Sequence, residues 1–366
     1  MNSEGKIGIF EAVCFVTIIT INKVFFTSVG NIVFLTGTAA WYATLISCLV
    51  TLIFFMFTYL LLKRFPDNDL TGIFESVTGK IPGKVLTLAI SGYLLFNAGS
   101  TLREFMEMIK VYNLRFTPIS VILTTFLIAA IVISSFGLQT LSRICAIFFI
   151  PCAAGLAIIL LLAIPEYDIY LLNPIGGHGI PSTLYYGVTR SSAYFEFMLL
   201  SFAVQSIGGY KAYKRIAITS ILLSGAIFSI SLLCYLMVYG YASGSENISG
   251  IFELSRSIYY NRFVQRIESI FIFIWVISSV LSTTASFAVS LFLYCRSFTI
   301  KDHKPLVLPF AALVYIIAIL PPSMQEVTQK SLLILRQYSM YIMYLPSVLV
   351  LFIALIFRKK GEKDNA

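Results

Sequence analysis

Apolar residues fall in blocks of about one membrane thickness along nearly the whole chain, separated by short polar stretches. Ten blocks fit the roughly 20 residues that carry a helix across a hydrocarbon core of about 30 Å. They are Ile7–Ser28, Trp41–Leu62, Val85–Ile109, Pro118–Phe136, Leu141–Ile164, Leu184–Gly208, Ile216–Tyr239, Ile267–Cys295, Val307–Leu320 and Leu333–Phe357. The first carries a fault: Asn22 and Lys23 interrupt an apolar run that resumes at Val24–Phe26. Lys23 stands roughly 24 Å along a helix beginning at Ile7, inside the hydrocarbon depth. An ammonium there costs several kcal/mol unless it faces protein interior, a partner or water. Thr17, Thr20, Asn22 and Thr27 can hydrogen-bond backbone freed by local unwinding. The first span is therefore expected to be a broken helix whose fault lines a cavity.

Ten spans divide as five plus five, and an odd number per half inverts one half relative to the other. The expected fold is an all-α, ten-helix inverted repeat in one polytopic domain over residues 1–366, with halves at about 7–164 and 184–357. The sixth span, which opens the second half, is also faulted, by Ser191, Ser192 and Glu196. Interrupted segments at matching positions of two halves mark the binding site in inverted-repeat transporters. No ordinary sequence repeat is visible.

Composition agrees. The chain is 58% hydrophobic and 12% charged, with mean hydropathy +0.89, so it is read as an integral membrane protein without a soluble domain. The first apolar run is too long for a cleavable signal and lacks a small-residue cleavage site. The net charge of +9 fits Lys and Arg anchoring cytoplasmic loops beside acidic lipids better than nucleic acid. With the N-terminus inside, the cytoplasmic side carries sixteen Lys and Arg and the outer side eight. That bias predicts both termini in the cytoplasm. The six cysteines are scattered through apolar segments without CxxC spacing and read as small packing residues. His178 and His303 are far apart in sequence. No metal site and no cofactor are expected. No phosphate-binding glycine loop or nucleophile–base motif is present, so the chain does not read as an enzyme.

Three loops stand out. Pro66–Lys84 predicts a short amphipathic cytoplasmic helix. Glu166–Thr183, with NPIGGHGIP, is a glycine-rich outer loop. Ser243–Gln265 predicts a short aromatic helix on the outer surface, lying at the interface or capping a vestibule.

Leu102–Pro118 (LREFMEMIKVYNLRFTP) resembles the third-helix region of the B subunits of bacterial spore germinant receptors. Gln265–Trp275 (QRIESIFIFIW) is similar to their eighth span, and Leu171–Ile180 (LLNPIGGHGI) to the loop before their sixth. The likeness follows nearly the whole chain. It implies the amino acid–polyamine–organocation superfamily, a LeuT-like fold with broken helices 1 and 6, and a place in the inner spore membrane in complex with A and C subunits. It also implies recognition of a nutrient such as an amino acid. Asn22-Lys23-Val24 stands where the family often has a Gly-x-Gly-like fault, and a proline common after the sixth-span fault is missing near Phe202.

The expected ligand-binding residues are Thr20, Asn22, Lys23, Asn97, Ser100, Ser191, Ser192 and Glu196. Lys23 reads either as a cation snorkelling to the interface or as a fixed charge that meets a ligand carboxylate or replaces a coupling ion. Glu196 reads as a structural acceptor or as counter-ion to Lys23 or to a ligand amine. Arg103 and Glu107, at i and i+4, are expected to form a salt bridge. Arg266 and Glu268, at i and i+2, are expected to point to different partners. These two charged helix ends are expected to face each other across a vestibule. Two functions share such a cavity: a germinant-sensing subunit, or a secondary amino acid transporter with proton coupling through Lys23 or Glu196.

Overall fold

In hydrocarbon each backbone N–H and C=O must find a partner within the protein, so apolar blocks become helices. The structure, a computed structural model, describes residues 6–259 and 266–361; Arg262, Gln265 and Lys363 of the charge and motif readings lie outside them. The elements run α1 (Ile9–Ile21), a 3-10 turn (Asn22–Phe25), α2 (Ser28–Thr36), α3 (Ala40–Arg64), α4 (Leu70–Thr78), α5 (Lys80–Tyr112), α6 (Ile119–Ser135) and α7 (Gly137–Leu162). The second half runs α8 (Ile180–Thr189), a 3-10 stretch (Arg190–Ile207), α9 (Gly209–Glu246), α10 (Gly250–Ser257), α11 (Glu268–Ser297), α12 (Lys304–Ile319), a short α13 (Met324–Glu326), a π turn (Val327–Ser331), α14 (Leu332–Met343) and α15 (Leu345–Ile356).

Among the described residues, six stretches are long and apolar enough to cross a membrane: Ser28–Arg64, Lys80–Tyr112, Gly137–Leu162, Gly209–Glu246, Glu268–Ser297 and Leu332–Ile356. The expected ten are not reached on that measure. Ile119–Ser135 and Lys304–Ile319 are apolar but shorter, and the first and sixth expected spans are interrupted. The first expected span also ends too early. Helix resumes at Ser28 and continues to Thr36, so the fault lies between two half-helices; Gly37, at φ 65°, then turns the chain into α3.

The expected cytoplasmic helix forms as α4. Asp69 caps it by accepting from the Gly72 amide at 3.1 Å and pairs with Arg296 at 2.6 Å. Leu70, Ile73, Phe74 and Val77 are its buried face. Several chain ends meet at this end of the bundle. The Ile7 amide donates to the Ser206 carbonyl at 2.9 Å, and Arg64 Nη2 donates to the Ala354 carbonyl at 3.1 Å.

α5 and α11 pack along their lengths. Ser91 Oγ donates to the Ser290 carbonyl at 2.7 Å, Asn97 Nδ2 to Ser286 Oγ at 2.8 Å, and the Phe105 and Trp275 rings lie edge to face at 4.8 Å. The third and eighth expected spans thus touch directly, where the sequence reading set a vestibule between their charged ends. Arg103 and Glu107 pair as expected, at 2.5 Å, and Arg103 Nη1 also donates to the Ala318 carbonyl of α12 at 3.0 Å. Arg266 and Glu268 differ from expectation. Arg266 stands before the first turn of α11 at φ 64°, outside helical spacing, and its Nε comes within 3.9 Å of Glu268 Oε1 with the arginine side chain 83% exposed.

The outer loops also differ in part. Glu166–Thr183 folds over the α2–α3 turn: the His178 amide donates to the Thr36 carbonyl at 3.2 Å. A Cβ at Gly177 would lie 2.0 Å from that same carbonyl, so only glycine permits this approach. α10 buries its apolar face while Arg256 and Ser257 stay exposed. Ile251, Phe252 and Leu254 are buried, and Ser249 Oγ, at its N-cap, donates to the Phe25 carbonyl at 2.9 Å. The apolar face that suggested an interfacial anchor packs instead on the first fault.

Candidate functional site

The two faults meet. α1 ends at Ile21, four residues of 3-10 helix follow, and Phe26 is extended (φ −103°, ψ −169°). In the second half the 3-10 stretch begins at Arg190 and contains non-helical backbone at Tyr194 (φ −113°, ψ 15°). A 3-10 run of this length is unusual and needs outside partners for its backbone. Those partners are visible. The Ala193 carbonyl accepts from Lys23 Nζ at 2.7 Å, and the Ser191 carbonyl accepts from Tyr344 OH at 3.0 Å. On the first fault, the Thr27 amide donates to Glu104 Oε1 at 3.1 Å.

Lys23 Nζ lies 2.5 Å from Glu196 Oε1 and 4.6 Å from the centroid of the Phe195 ring. Thr20 Oγ1 supports the pair by donating to Glu196 Oε2 at 3.4 Å. Lys23 therefore faces the protein interior, which removes the snorkelling reading. Asn22 Oδ1 accepts from Ser278 Oγ at 2.8 Å and Ser279 Oγ at 3.3 Å, fastening the first fault to α11.

A cavity opens beside this pair. Asn22, Lys23, Asn97, Ser192 and Glu196 line it, five of the eight expected residues. Thr20 touches it only through Glu196. Ser100 and Ser191 are buried and do not line it; Ser191 contributes its carbonyl to the packing of the second fault. Asn97 and Ser192 already have protein partners: Asn97 bonds Ser286, and Ser192 Oγ donates to the Arg336 carbonyl at 2.7 Å. The space open to water-sized occupants is about 60 Å³, room for roughly four or five waters.

Sequence reasoning missed three charged residues of this cavity: Glu104, Arg190 and Arg336. Glu104 Oε1 accepts from Thr27 Oγ1 at 2.5 Å and lies 3.5 Å from Arg336 Nη2. Arg336 Nη2 also donates to Thr27 Oγ1 at 2.5 Å. Arg190 donates to Asn31 Oδ1 of α2. Glu104 had a detectable signal, since it lies inside an apolar span, but it was obscured by its neighbours Arg103 and Glu107. Arg190 and Arg336 were counted as orienting charges at outer helix ends. Of the four charges expected to line a vestibule, none lines this cavity.

The helical architecture, the two meeting faults and the central cavity define a helical membrane protein built around a central site. The fold resembles a Na+-coupled sialic acid symporter solved in a substrate-bound outward-open state, with TM-score 0.69, 10% identity, and 98% of this chain and 92% of that one covered. It also resembles MHP1, a nucleobase-cation-symport-1 family transporter in a closed conformation with bromovinylhydantoin bound, with TM-score 0.66, 14% identity, and 93% and 75% covered. These likenesses bear out the LeuT-like fold. Residues 6–327 match the spore germination protein family, and the chain belongs to that family. Among Bacillus subtilis relatives, it is 20% identical to spore germination protein KB over 90% of both chains. It is 24% identical to spore germination protein A2 over 65% of both, so the match spans just under two thirds of that relative.

Proposed function

We propose that this chain is the nutrient-sensing subunit of a spore germinant receptor, binding a small amino acid where its two helix faults meet. Family membership supports the germination role. The observation that carries the site is the Lys23–Glu196 pair: one charge from each fault, in contact at the wall of a shared cavity. Half-helix ends and opposed fixed charges suit a zwitterion. Five helical spans per half, of inverted topology and with both termini cytoplasmic, complete the reading, along with assembly with A and C subunits in the inner spore membrane. The meeting of the N-terminal, α3 and C-terminal chain ends at one end of the bundle supports that topology. Ligand binding shifts a conformational equilibrium by no more than its differential affinity for the two states.

The test compares germination of a deletion strain across a nutrient panel with uptake by the purified protein in liposomes. Sensing predicts loss of response to particular nutrients without concentrative uptake. Normal germination together with uptake would establish the secondary transporter instead.

A further inference from the structure

Five ionisable side chains line the cavity, three basic and two acidic. Lys23 pairs with Glu196 at 2.5 Å, and Arg336 with Glu104 at 3.5 Å. Arg190 is the third cation of the wall. Only 7% of its surface is exposed; among the described residues no carboxylate lies within ion-pair distance of it, and Glu104 acts on it only from farther away. Its guanidinium donates to the neutral amide oxygen of Asn31. A buried guanidinium satisfied by a single amide is incomplete. It has five donors in a planar fork, and removing such a charge from water costs several kcal/mol that a neutral acceptor offsets only in part.

A second observation in the same cavity points the same way. Asn22 is 1% exposed and lines the cavity, and its Nδ2 has no hydrogen-bond partner among the described residues. Buried donors of this kind are rare, and an unmade bond costs about 1–3 kcal/mol. The wall thus holds a guanidinium without a paired carboxylate and an idle amide donor, and a single anionic acceptor would meet both.

We propose that Arg190 is the carboxylate anchor of the site, so that the ligand is selected for a small carboxylate and its amine is secondary. This deepens the sensing reading and rests on it. A carboxylate matches the guanidinium fork with two parallel hydrogen bonds, a geometry that phenols, sugars and amines do not reproduce. Lys23 is already committed to Glu196 and to the Ala193 carbonyl, so the role first expected of Lys23, meeting the ligand carboxylate, passes to Arg190. Glu104 Oε2 has no hydrogen bond among the described residues, its partners all lying on Oε1. It is the acceptor left for the amine of an amino acid.

The test uses the full-length protein purified in detergent. Thermal unfolding is followed in alanine, propionate (the carboxylate without the amine), alaninamide (the amine without the carboxylate), and chloride and phosphate at matched ionic strength. Alanine and propionate should raise the melting temperature in a saturable way, and alaninamide should not. Arg190→Gln should weaken the apparent affinity for both carboxylates by about 10- to 100-fold, the size of a charge-assisted contact. Arg190→Lys, which keeps the charge and loses the fork, should bind at least several-fold more weakly than wild type. Equal stabilisation by alaninamide and alanine overturns the assignment, as do unchanged affinities in a folded Arg190→Gln. Stabilisation by chloride or phosphate alone, or no response to any compound, overturns it as well. If Arg190→Gln does not fold, the wild-type comparison of alanine with alaninamide still decides. The sensing reading fails separately, by germination that does not require this chain.

Discussion

Glu104, on α5, holds Thr27 at both its amide, 3.1 Å away, and its hydroxyl, 2.5 Å away. Thr27 is the residue from which helix resumes after the first fault, so one carboxylate fixes the angle at which α2 leaves the break. It also carries Arg336 of α14 at 3.5 Å, linking three elements that must separate if the cavity opens on this side.

Glu104→Gln should keep an acceptor for Thr27 while removing the charge opposite Arg336. The expected loss is about 1–3 kcal/mol of stability, because a largely buried cation is left without its counter-ion. The nutrient response should shift to higher concentration or disappear. Thermal unfolding and a germination dose–response check this; wild-type values in both would make the contact incidental.

The Lys23–Glu196 pair should behave as a unit. Lys23→Met leaves a carboxylate that is 4% exposed without its cation, and Glu196→Gln leaves an ammonium without its anion. Each single change is expected to cost about 3–5 kcal/mol. The double change removes both charges and should recover part of that loss, with a coupling energy of about 1–3 kcal/mol in a double-mutant cycle. Response should stay absent in all three variants. Additive effects would show that the two charges do not stabilise one another.

The two outer charge pairs should differ from each other. Glu107→Ala leaves Arg103, whose side chain is 4% exposed, unpaired at the α5–α12 contact, and should lower protein abundance. Arg266→Ala removes a side chain that is 83% exposed, and should change stability by no more than about 0.5 kcal/mol. Neither should alter which nutrient is recognised. Immunoblots of membranes and a nutrient panel read both effects; a changed preference in either variant would extend the site to this outer end.

Topology is open to direct test. Reporter fusions at Lys211 and after Phe357 should both report the cytoplasm. An external signal from either would remove the five-plus-five arrangement, since an odd number of spans per half requires both points to lie on the side of the N-terminus.

Sequence alone determined the membrane character, the helical class and the positions of both faults. A run of apolar residues leaves few choices in hydrocarbon, and a polar residue inside such a run has a cost that must be met somewhere. That reasoning placed Asn22, Lys23, Asn97, Ser192 and Glu196 as polar residues within apolar spans, and all five line the cavity. It also found the Arg103–Glu107 pair, because helical spacing fixes contacts one turn apart. It missed Arg190 and Arg336, because a charge near a helix end looks the same in sequence whether it reaches water or turns inward, and it missed the role of Glu104, which sits between Arg103 and Glu107 within its span. It set Arg266 and Glu268 apart by assuming a helical spacing that Arg266, at φ 64°, does not follow. It sent α10 to the surface because an apolar face does not name what covers it. Tertiary structure decided these points: which helices lie side by side, that the two faults touch, and which carboxylate each buried cation reaches. Such contacts join residues as far apart in the chain as Thr27 and Arg336, and no local pattern of polar and apolar positions encodes a partner at that separation.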